Sequence, residues 1–137
     1  MPAKDTYHDA VRCALVKDGW TITDDPFRLV WGKLDFYVDL GAERIVAAEK
    51  AGQRIAVEVK SFLGASPMHE LEVALGQFSL YRSILEEQEP DRVLYLAIPA
   101  DPAEILDEPV GQLLIAKHLI RAVVFDPQRE EILRWTP

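Results

Sequence analysis

Two charged residues, Glu58 and Lys60, stand two positions apart in a largely apolar segment and carry groups that can bind a metal ion and activate water. Residues 54–62 read Arg-Ile-Ala-Val-Glu-Val-Lys-Ser-Phe, so branched apolar residues alternate with the others. In a β-strand this alternation places Glu58 and Lys60 on one face. A carboxylate and an ammonium group at a strand end can hold a divalent cation and polarise a water molecule beside it. An ordinary salt bridge is the competing interpretation, because an isolated Glu-x-Lys is common.

A second acidic segment precedes this strand. Residues 34–40 also alternate, which places Asp35 and Asp39 together on the polar face of a predicted strand. Mg²⁺ prefers hard oxygen ligands and keeps several waters, so Asp39, Glu58 and one backbone carbonyl would be a sufficient protein contribution. Such a set could bind Mg²⁺, or Mn²⁺ in its place, and Lys60 could then orient or deprotonate the attacking water.

The elements before these residues are short. The apolar spacing within residues 7–18 predicts a helix that Gly19 can end. Residues 20–23 read as a strand, and residues 44–49 are expected to pair with residues 53–60 through a tight turn. The acidic segment and the Glu-x-Lys segment would thus belong to one antiparallel meander.

The elements after these residues include the longest predicted helix. Ser66 and Pro67 open that helix and Pro90 marks its end, while the apolar run of residues 92–98 is typical of an inner strand. Two helical pieces follow, at residues 102–107 and 109–119. A final hairpin, with strands at residues 121–125 and 131–135, completes the chain. The order predicts an α/β (α+β) domain, a mixed β-sheet flanked by helices, formed by residues 1–137 as a single unit.

Composition restricts the function classes. The chain has 137 residues and a net charge of −8, which argues against a protein that coats nucleic acid through its overall field. Residues 63–137 contribute most of the negative charge, so a site for an anionic partner is expected in the first half. The single cysteine, Cys13, is expected to be a small core residue in a reduced, cytoplasmic protein, and no segment predicts a membrane span.

Several further motifs accompany the Glu-x-Lys segment. They are Lys17-Asp-Gly-Trp20, Val38-Asp-Leu-Gly-Ala-Glu43, Ala47-Ala-Glu-Lys50, Ile55-Ala-Val-Glu-Val-Lys-Ser-Phe62, Ala74-Leu-Gly-Gln-Phe78, Arg92-Val-Leu-Tyr-Leu-Ala-Ile98, Glu108-Pro-Val-Gly-Gln-Leu-Leu114 and Val123-Val-Phe-Asp-Pro127. By these motifs the chain resembles, over nearly its whole length, the XisH family of fdxN-element excision controlling factors. The order of helix, acidic strand, Glu-Val-Lys strand and covering helix also resembles the PD-(D/E)XK nuclease superfamily.

The resemblance implies a restriction-endonuclease-like core and assigns expected roles. Glu58 and Lys60 match the Glu-x-Lys of the superfamily, and Asp39 is the preferred preceding acidic residue. Gln77 on the covering helix matches the place of a supporting polar residue. The alternatives for the acidic ligand are Asp35 and Glu43, and His8, with Asp9 beside it, is the nearest equivalent of a glutamate on the first helix.

Two functions follow as expectations. In cyanobacterial relatives the resemblance implies excision of a DNA element alongside a site-specific recombinase and a companion factor, XisI. The chain could be a Mg²⁺-dependent endonuclease, with the DNA backbone held by Arg12, Lys33, Lys50 or Arg54. It could instead be a non-catalytic regulatory subunit that retains the nuclease fold and controls DNA rearrangement through an XisI-like partner.

Overall fold

The fold is a mixed sheet with helices on both faces, as the sequence predicted. The computed structural model describes residues 7–35 and 45–137. Its elements in chain order are α1 (His8–Lys17), β1 (Thr21–Asp24), β2 (Val30–Trp31), β3 (Leu34–Asp35), β4 (Ile45–Lys50), β5 (Gln53–Val59), α2 (Pro67–Gln88), β6 (Arg92–Pro99), a 3-10 helix (Pro102–Asp107), α3 (Pro109–Ala116), β7 (Ala122–Asp126) and β8 (Glu131–Trp135).

The main sheet has six strands in the order β1-β4-β5-β6-β7-β8, and β2 and β3 form a separate two-stranded sheet. The three central strands β5, β6 and β7 run parallel, whereas β1-β4, β4-β5 and β7-β8 are antiparallel pairs. The apolar strand β6 is an inner strand, as expected from its continuous run of apolar residues. The carboxyl ends of β5, β6 and β7 therefore meet at one edge of the sheet.

The alternation within β5 separates the two layers of the core. Ile55, Val57 and Val59 pack in one apolar cluster with Val11 and other residues of α1. On the opposite face, the α2 residues Leu71, Ala74, Phe78 and Tyr81 form a second cluster with Ala56 of β5. Glu58 follows Ala56 by two residues and lies on the same face of β5. The face that carries Glu58 is therefore the one that α2 covers.

Local signals explain where the helices begin and end. Ser66 caps α2 by accepting a hydrogen bond from the backbone N–H of His69, at 3.2 Å, and Pro67 occupies the first helical position. Gly19 follows α1 with a φ of +94°, a left-handed conformation that favours glycine and ends the helix. The sequence identified each of these residues in its role.

Three expectations were wrong. The described part of the acidic segment, β3, does not join the predicted meander, because it pairs with β2 in a separate sheet and β4 lies between β1 and β5. Cys13 is exposed and is not a core residue, because it falls on the solvent side of α1 next to Arg12. The helix predicted for residues 109–119 ends at Ala116, since Lys117 caps it and His118 adopts a left-handed φ of +57°. Strand β3 covers Leu34–Asp35, and the remainder of the strand predicted for residues 34–40 lies outside the described residues. Across the described parts of the chain, no helix is long and apolar enough to cross a membrane.

Candidate active site

The site is centred on the carboxyl end of β5, where a glutamate and a lysine lie side by side beneath α2. Glu58 is 1% exposed and Lys60 is 5% exposed. The Lys60 Nζ atom lies 3.6 Å from Glu58 Oε1 and donates a hydrogen bond to Gln77 Oε1 of α2. The three residues therefore form one cluster, which joins the strand end to the covering helix.

The backbone also fixes the position of Lys60. Its N–H donates to the carbonyl of Ala97 in β6 at 3.2 Å, so Lys60 continues the strand ladder just past the end of β5. The carboxyl ends of parallel strands are where open α/β sheets bind their ligands. A pocket of about 230 Å³ opens beside the cluster, lined by Lys60, Ser61, Phe62, His69, Glu70 and Val73. A ligand in this pocket would reach the Lys60 side chain.

Burial makes this pair energetically unusual. Removing a carboxylate and an ammonium group from water is expensive, and mutual attraction repays the cost only when hydrogen bonds satisfy the remaining polar atoms. Two apolar side chains at positions 58 and 60 would join α2 to β5 at a lower cost. A buried charged pair at the carboxyl end of parallel strands is thus a candidate functional site.

The other predicted ligands fall in or beside the part of the chain that is not described. Asp39 and Glu43 lie outside the described residues, and Asp35 is the last residue of β3, where only the backbone is described. Strand β4 begins at Ile45, directly opposite Glu58, so the chain enters β4 at the edge of the sheet where Glu58 and Lys60 lie. Within residues 7–35 and 45–137, no group of three or more His, Cys, Asp or Glu side chains is arranged to hold a metal ion.

The first helix places His8 elsewhere. His8 is 2% exposed, and its Nε2 atom lies 3.0 Å from the Asp25 carboxylate, which also pairs with Arg12. Burial acts to raise the pKa of Asp25, but the hydrogen bonds and positive charges of His8 and Arg12 outweigh it, so the pKa of this carboxyl is lowered. Helix α1 packs on the face of β5 opposite to Glu58. The cluster at the carboxyl end of β5 thus forms without a residue of α1.

Two of the four cations proposed to hold the DNA backbone, Lys50 and Arg54, lie away from the Glu58–Lys60 edge. Arg12 is bound to Asp25, Lys50 donates to the Asp18 carbonyl, and Arg54 pairs with Glu49 and Glu89. Lys33 is exposed. Since Lys50 and Arg54 flank the β4-β5 turn, they lie at the opposite end of β5 from Lys60.

A larger pocket, of about 600 Å³, lies at that opposite end of the sheet. Trp20, Tyr95 and Trp135 form one wall, with the Tyr95 and Trp135 ring centroids 4.9 Å apart. Lys50 and Arg54 line it too, but the ion pairs and hydrogen bonds given above already engage both cations. Although this pocket is the larger of the two, the buried Glu58–Lys60 pair lies at the other end of β5. The candidate site is therefore placed at that end.

Sequence reasoning missed Asp25 as the partner of His8. The tripeptide Asp24-Asp25-Pro26 has the composition of a turn, and nothing local distinguishes a turn aspartate from one that reaches across to a helix. An apolar setting for His8 on α1 was the available signal, because a buried imidazole requires a hydrogen-bond partner. The contact joins the start of α1 to the end of β1.

Comparisons with known proteins agree on one family. A family model described as XisH protein matches residues 1–133. A crystal structure of an XisH family protein from Nostoc punctiforme is 38% identical, with a TM-score of 0.86, over 97% of this chain and 100% of that one. An fdxN element excision controlling factor protein from Anabaena variabilis is 41% identical, with a TM-score of 0.84, over 96% and 98%. No curated protein matches the chain.

Proposed function

This chain belongs to the XisH family, and from that membership we propose that it controls the programmed excision of a DNA element through a nuclease-like core. The solved relative from Anabaena variabilis is described as an fdxN element excision controlling factor, and the two chains match over almost their full lengths. Action on a chromosomal element would place the protein in the cytoplasm.

The observation that supports a nuclease-like core is the buried Glu58–Lys60–Gln77 cluster. Lys60 Nζ is 3.6 Å from Glu58 Oε1 and bonded to Gln77 Oε1, so its position is restricted from two sides. An ammonium group held in this way can orient a water molecule for attack on a phosphodiester. Gln77 touches Lys60 and would act as a positioning residue.

The donor set fits a hard divalent cation when a second carboxylate joins Glu58. The carboxylate of Glu58 is a hard oxygen ligand at the edge where the chain enters β4. We assign the second ligand to Asp39, with Asp35 and Glu43 as the alternatives. Mg²⁺, or Mn²⁺ in its place, would supply charge neutralisation to the phosphodiester. The residues of the chain bind it, orient the water and hold a proton at Lys60.

A nicking assay tests this proposal. Supercoiled DNA is incubated with the full chain and Mg²⁺ or Mn²⁺, alongside Glu58→Ala and Lys60→Ala. We expect the wild type to convert supercoiled DNA to the open circle and both variants to lose at least a hundredfold in rate, because each removes a group acting directly on the reaction.

Gln112→Ala is the matched control for the nicking assay. Its side-chain amide bonds a backbone carbonyl in the 3-10 helix, away from the cluster, so this variant should nick like the wild type. Identical activity of the wild type, Glu58→Ala and Lys60→Ala would rule out the nuclease proposal.

A specific observation favours a second function, that of a non-catalytic regulatory subunit acting through an XisI-like protein. In the described structure His8 on α1 is engaged with Asp25 and not with the Glu58 cluster, and the net charge of −8 opposes unaided DNA binding. The test is co-expression with the product of a neighbouring small gene. Stable co-purification, with no nicking by the wild type, would support the regulatory role, and a chain that never associates would contradict it.

A further inference from the structure

We propose that the exposed face of α2 is a self-association surface, on which a second copy of this chain places its own α2 in the antiparallel direction. The seam of this surface consists of residues spaced alternately by four and three positions, the spacing of a helix-pairing stripe. Its members are His69, Val73, Gly76, Leu80, Ser83 and Glu87, all of them exposed.

The centre of the seam has the shape that a second helix requires. Val73 and Leu80 are 46% and 47% exposed, although both are apolar residues in the middle of the longest helix of the described structure. Between them, a Cβ atom added to Gly76 would meet nothing within 4 Å, so the space above that position is open. A Leu80 side chain from a second copy fits over Gly76 when the two helices run antiparallel.

Charge then selects the direction of the second helix. The last turn of α2 contains acidic residues and no basic one, which is unfavourable beside the negative end of the helix dipole. Arg82 lies 3.9 Å from Glu86 and compensates it in part, whereas Glu87, on the seam, has no ion pair within residues 7–35 and 45–137. Glu87 is therefore available to a positive partner outside its own fold.

An antiparallel second copy provides that partner. With Leu80 of each copy over Gly76 of the other, Glu87 faces the first turn of the opposite α2, which has the positive dipole end and His69. The two-fold symmetry makes each favourable contact twice. A parallel arrangement would instead place the two acidic ends side by side. The same residues thus specify both the occupant and its orientation.

The expected dimer is weak and depends on protein concentration. A helix of 22 residues is about 33 Å long, so one helix pair buries less surface than a standard stable interface. Two seam residues, His69 and Val73, also line the pocket beside Lys60, so the surface adjoins the reaction site proposed above, although it does not require the Lys60–Gln77 contact.

Sedimentation equilibrium of the full chain, from micromolar to millimolar concentration, tests the surface. The wild type should rise from its 15.5 kDa monomer mass towards twice that value, and Leu80→Glu should remain monomeric with an unchanged circular dichroism spectrum. Leu113→Glu is the matched control, because Leu113 is 52% exposed on α3 and should leave dimerisation intact. The proposal would be overturned by a wild type that stays monomeric. It would also be overturned if Leu80→Glu and Leu113→Glu reduced dimer formation equally.

A charge exchange tests the antiparallel direction. His69→Glu and Glu87→Lys should each weaken the dimer about tenfold. The first places a glutamate opposite Glu87 at both ends of the pair, and the second places a lysine against the positive dipole end of the opposite α2. The double variant restores opposite charges and should return the dissociation constant to within about threefold of the wild type. A double variant as dissociated as the single variants would contradict the antiparallel arrangement.

Discussion

At the scale of the residue, the position of the Lys60 ammonium group depends on Gln77. The Gln77 side chain reaches from α2 to the Lys60 ammonium group, which also lies 3.6 Å from Glu58 Oε1. A buried ammonium group that loses a hydrogen-bond acceptor costs free energy and moves towards its remaining neighbour. The geometry for holding a water molecule is lost even if the fold remains intact.

Substitution of Gln77 separates positioning from folding. Gln77→Leu should lower kcat for nicking by about tenfold with little change in KM, because water orientation and not DNA binding is affected. Gln77→Glu keeps an oxygen acceptor for Lys60 and should recover most of the rate. Steady-state kinetics on supercoiled DNA and the melting temperature provide the two measurements. Equal losses in both variants would show that Gln77 does not act through Lys60.

The lowered pKa of Asp25 gives a prediction with a definite sign. A carboxyl whose pKa is lower in the folded state stabilises the fold above its unfolded pKa, and this contribution disappears as the pH falls through the folded pKa. Asp25→Asn should cost about 1–2 kcal/mol at pH 7, since it weakens contacts to His8 and Arg12. The difference from the wild type should vanish in acid.

Urea unfolding from pH 7 down to pH 2 measures the Asp25 effect. Asp24→Asn is the control, because Asp24 is the exposed neighbour and bonds only the hydroxyl of Thr23 among the contacts described. A stability difference for Asp25→Asn that does not change with pH would show that the carboxylate charge is unimportant there.

At the scale of the element, α2 and α3 use glycine in opposite ways. A Cβ atom at Gly111 of α3 would lie 2.3 Å from the carbonyl oxygen of Ile105, so the helix contacts the backbone of the 3-10 helix. The space above Gly76 of α2 is open. One glycine permits a close contact within the fold, and the other leaves a surface uncovered.

The two glycine-to-alanine substitutions should therefore change stability in opposite directions. Gly111→Ala should destabilise the fold by about 1–3 kcal/mol because backbone atoms must move. Gly76→Ala should stabilise it by about 0.5–1 kcal/mol through helix propensity. Chemical denaturation at micromolar protein concentration measures both. A neutral Gly111→Ala would mean that α3 and the 3-10 helix separate easily.

The elements of this fold were largely readable from the sequence, and the reasons are local. The alternation around Val57, the cap at Ser66 and the apolar run of β6 act within a few residues of themselves. The exposure of Cys13 could not be predicted from the sequence, since a small residue in a helical pattern can lie on either face of the helix. The end of α3 was not predicted either. The left-handed residue that follows this helix is His118, and a histidine, unlike a glycine, does not signal a left-handed backbone in the sequence.

The candidate site was only partly readable. Glu58 and Lys60 share a face by the period of the strand, so their proximity could be predicted. The pairing of His8 with Asp25 depends on how α1 crosses the sheet, which no short-range pattern encodes. Asp39, Asp35 and Glu43 remain predictions as metal ligands, and binding measurements can distinguish them.

At the scale of the whole molecule, metal binding should be visible as a change in global stability. A ligand that binds only the folded state raises stability by an amount set by its concentration relative to its dissociation constant, about 2.7 kcal/mol at a hundredfold excess. We expect Mg²⁺ to raise the melting temperature of the wild type, and Glu58→Gln to abolish that rise. Thermal unfolding with and without an excess of Mg²⁺ provides the measurement.

The metal-free comparison is the control for this experiment. Glu58→Gln keeps the size of the side chain, so its melting temperature in chelator should be close to that of the wild type. A large drop in chelator would identify Glu58 as a structural residue. Parallel variants Asp39→Asn, Asp35→Asn and Glu43→Gln would then show which second carboxylate contributes.

The parallel centre of the sheet also dictates an order of folding. The β4-β5 and β7-β8 hairpins close over short loops, whereas β5 can pair with β6 only after α2 has crossed the sheet between them. Loop-closure entropy delays such long-range pairings, so docking of α2 between β5 and β6 should limit the folding rate. Phe78→Leu should slow refolding, whereas Ile132→Val in the edge hairpin should chiefly accelerate unfolding, as stopped-flow fluorescence can measure. The helix that covers the Glu58–Lys60 pair would then also be the element that sets the time the chain needs to reach its native state.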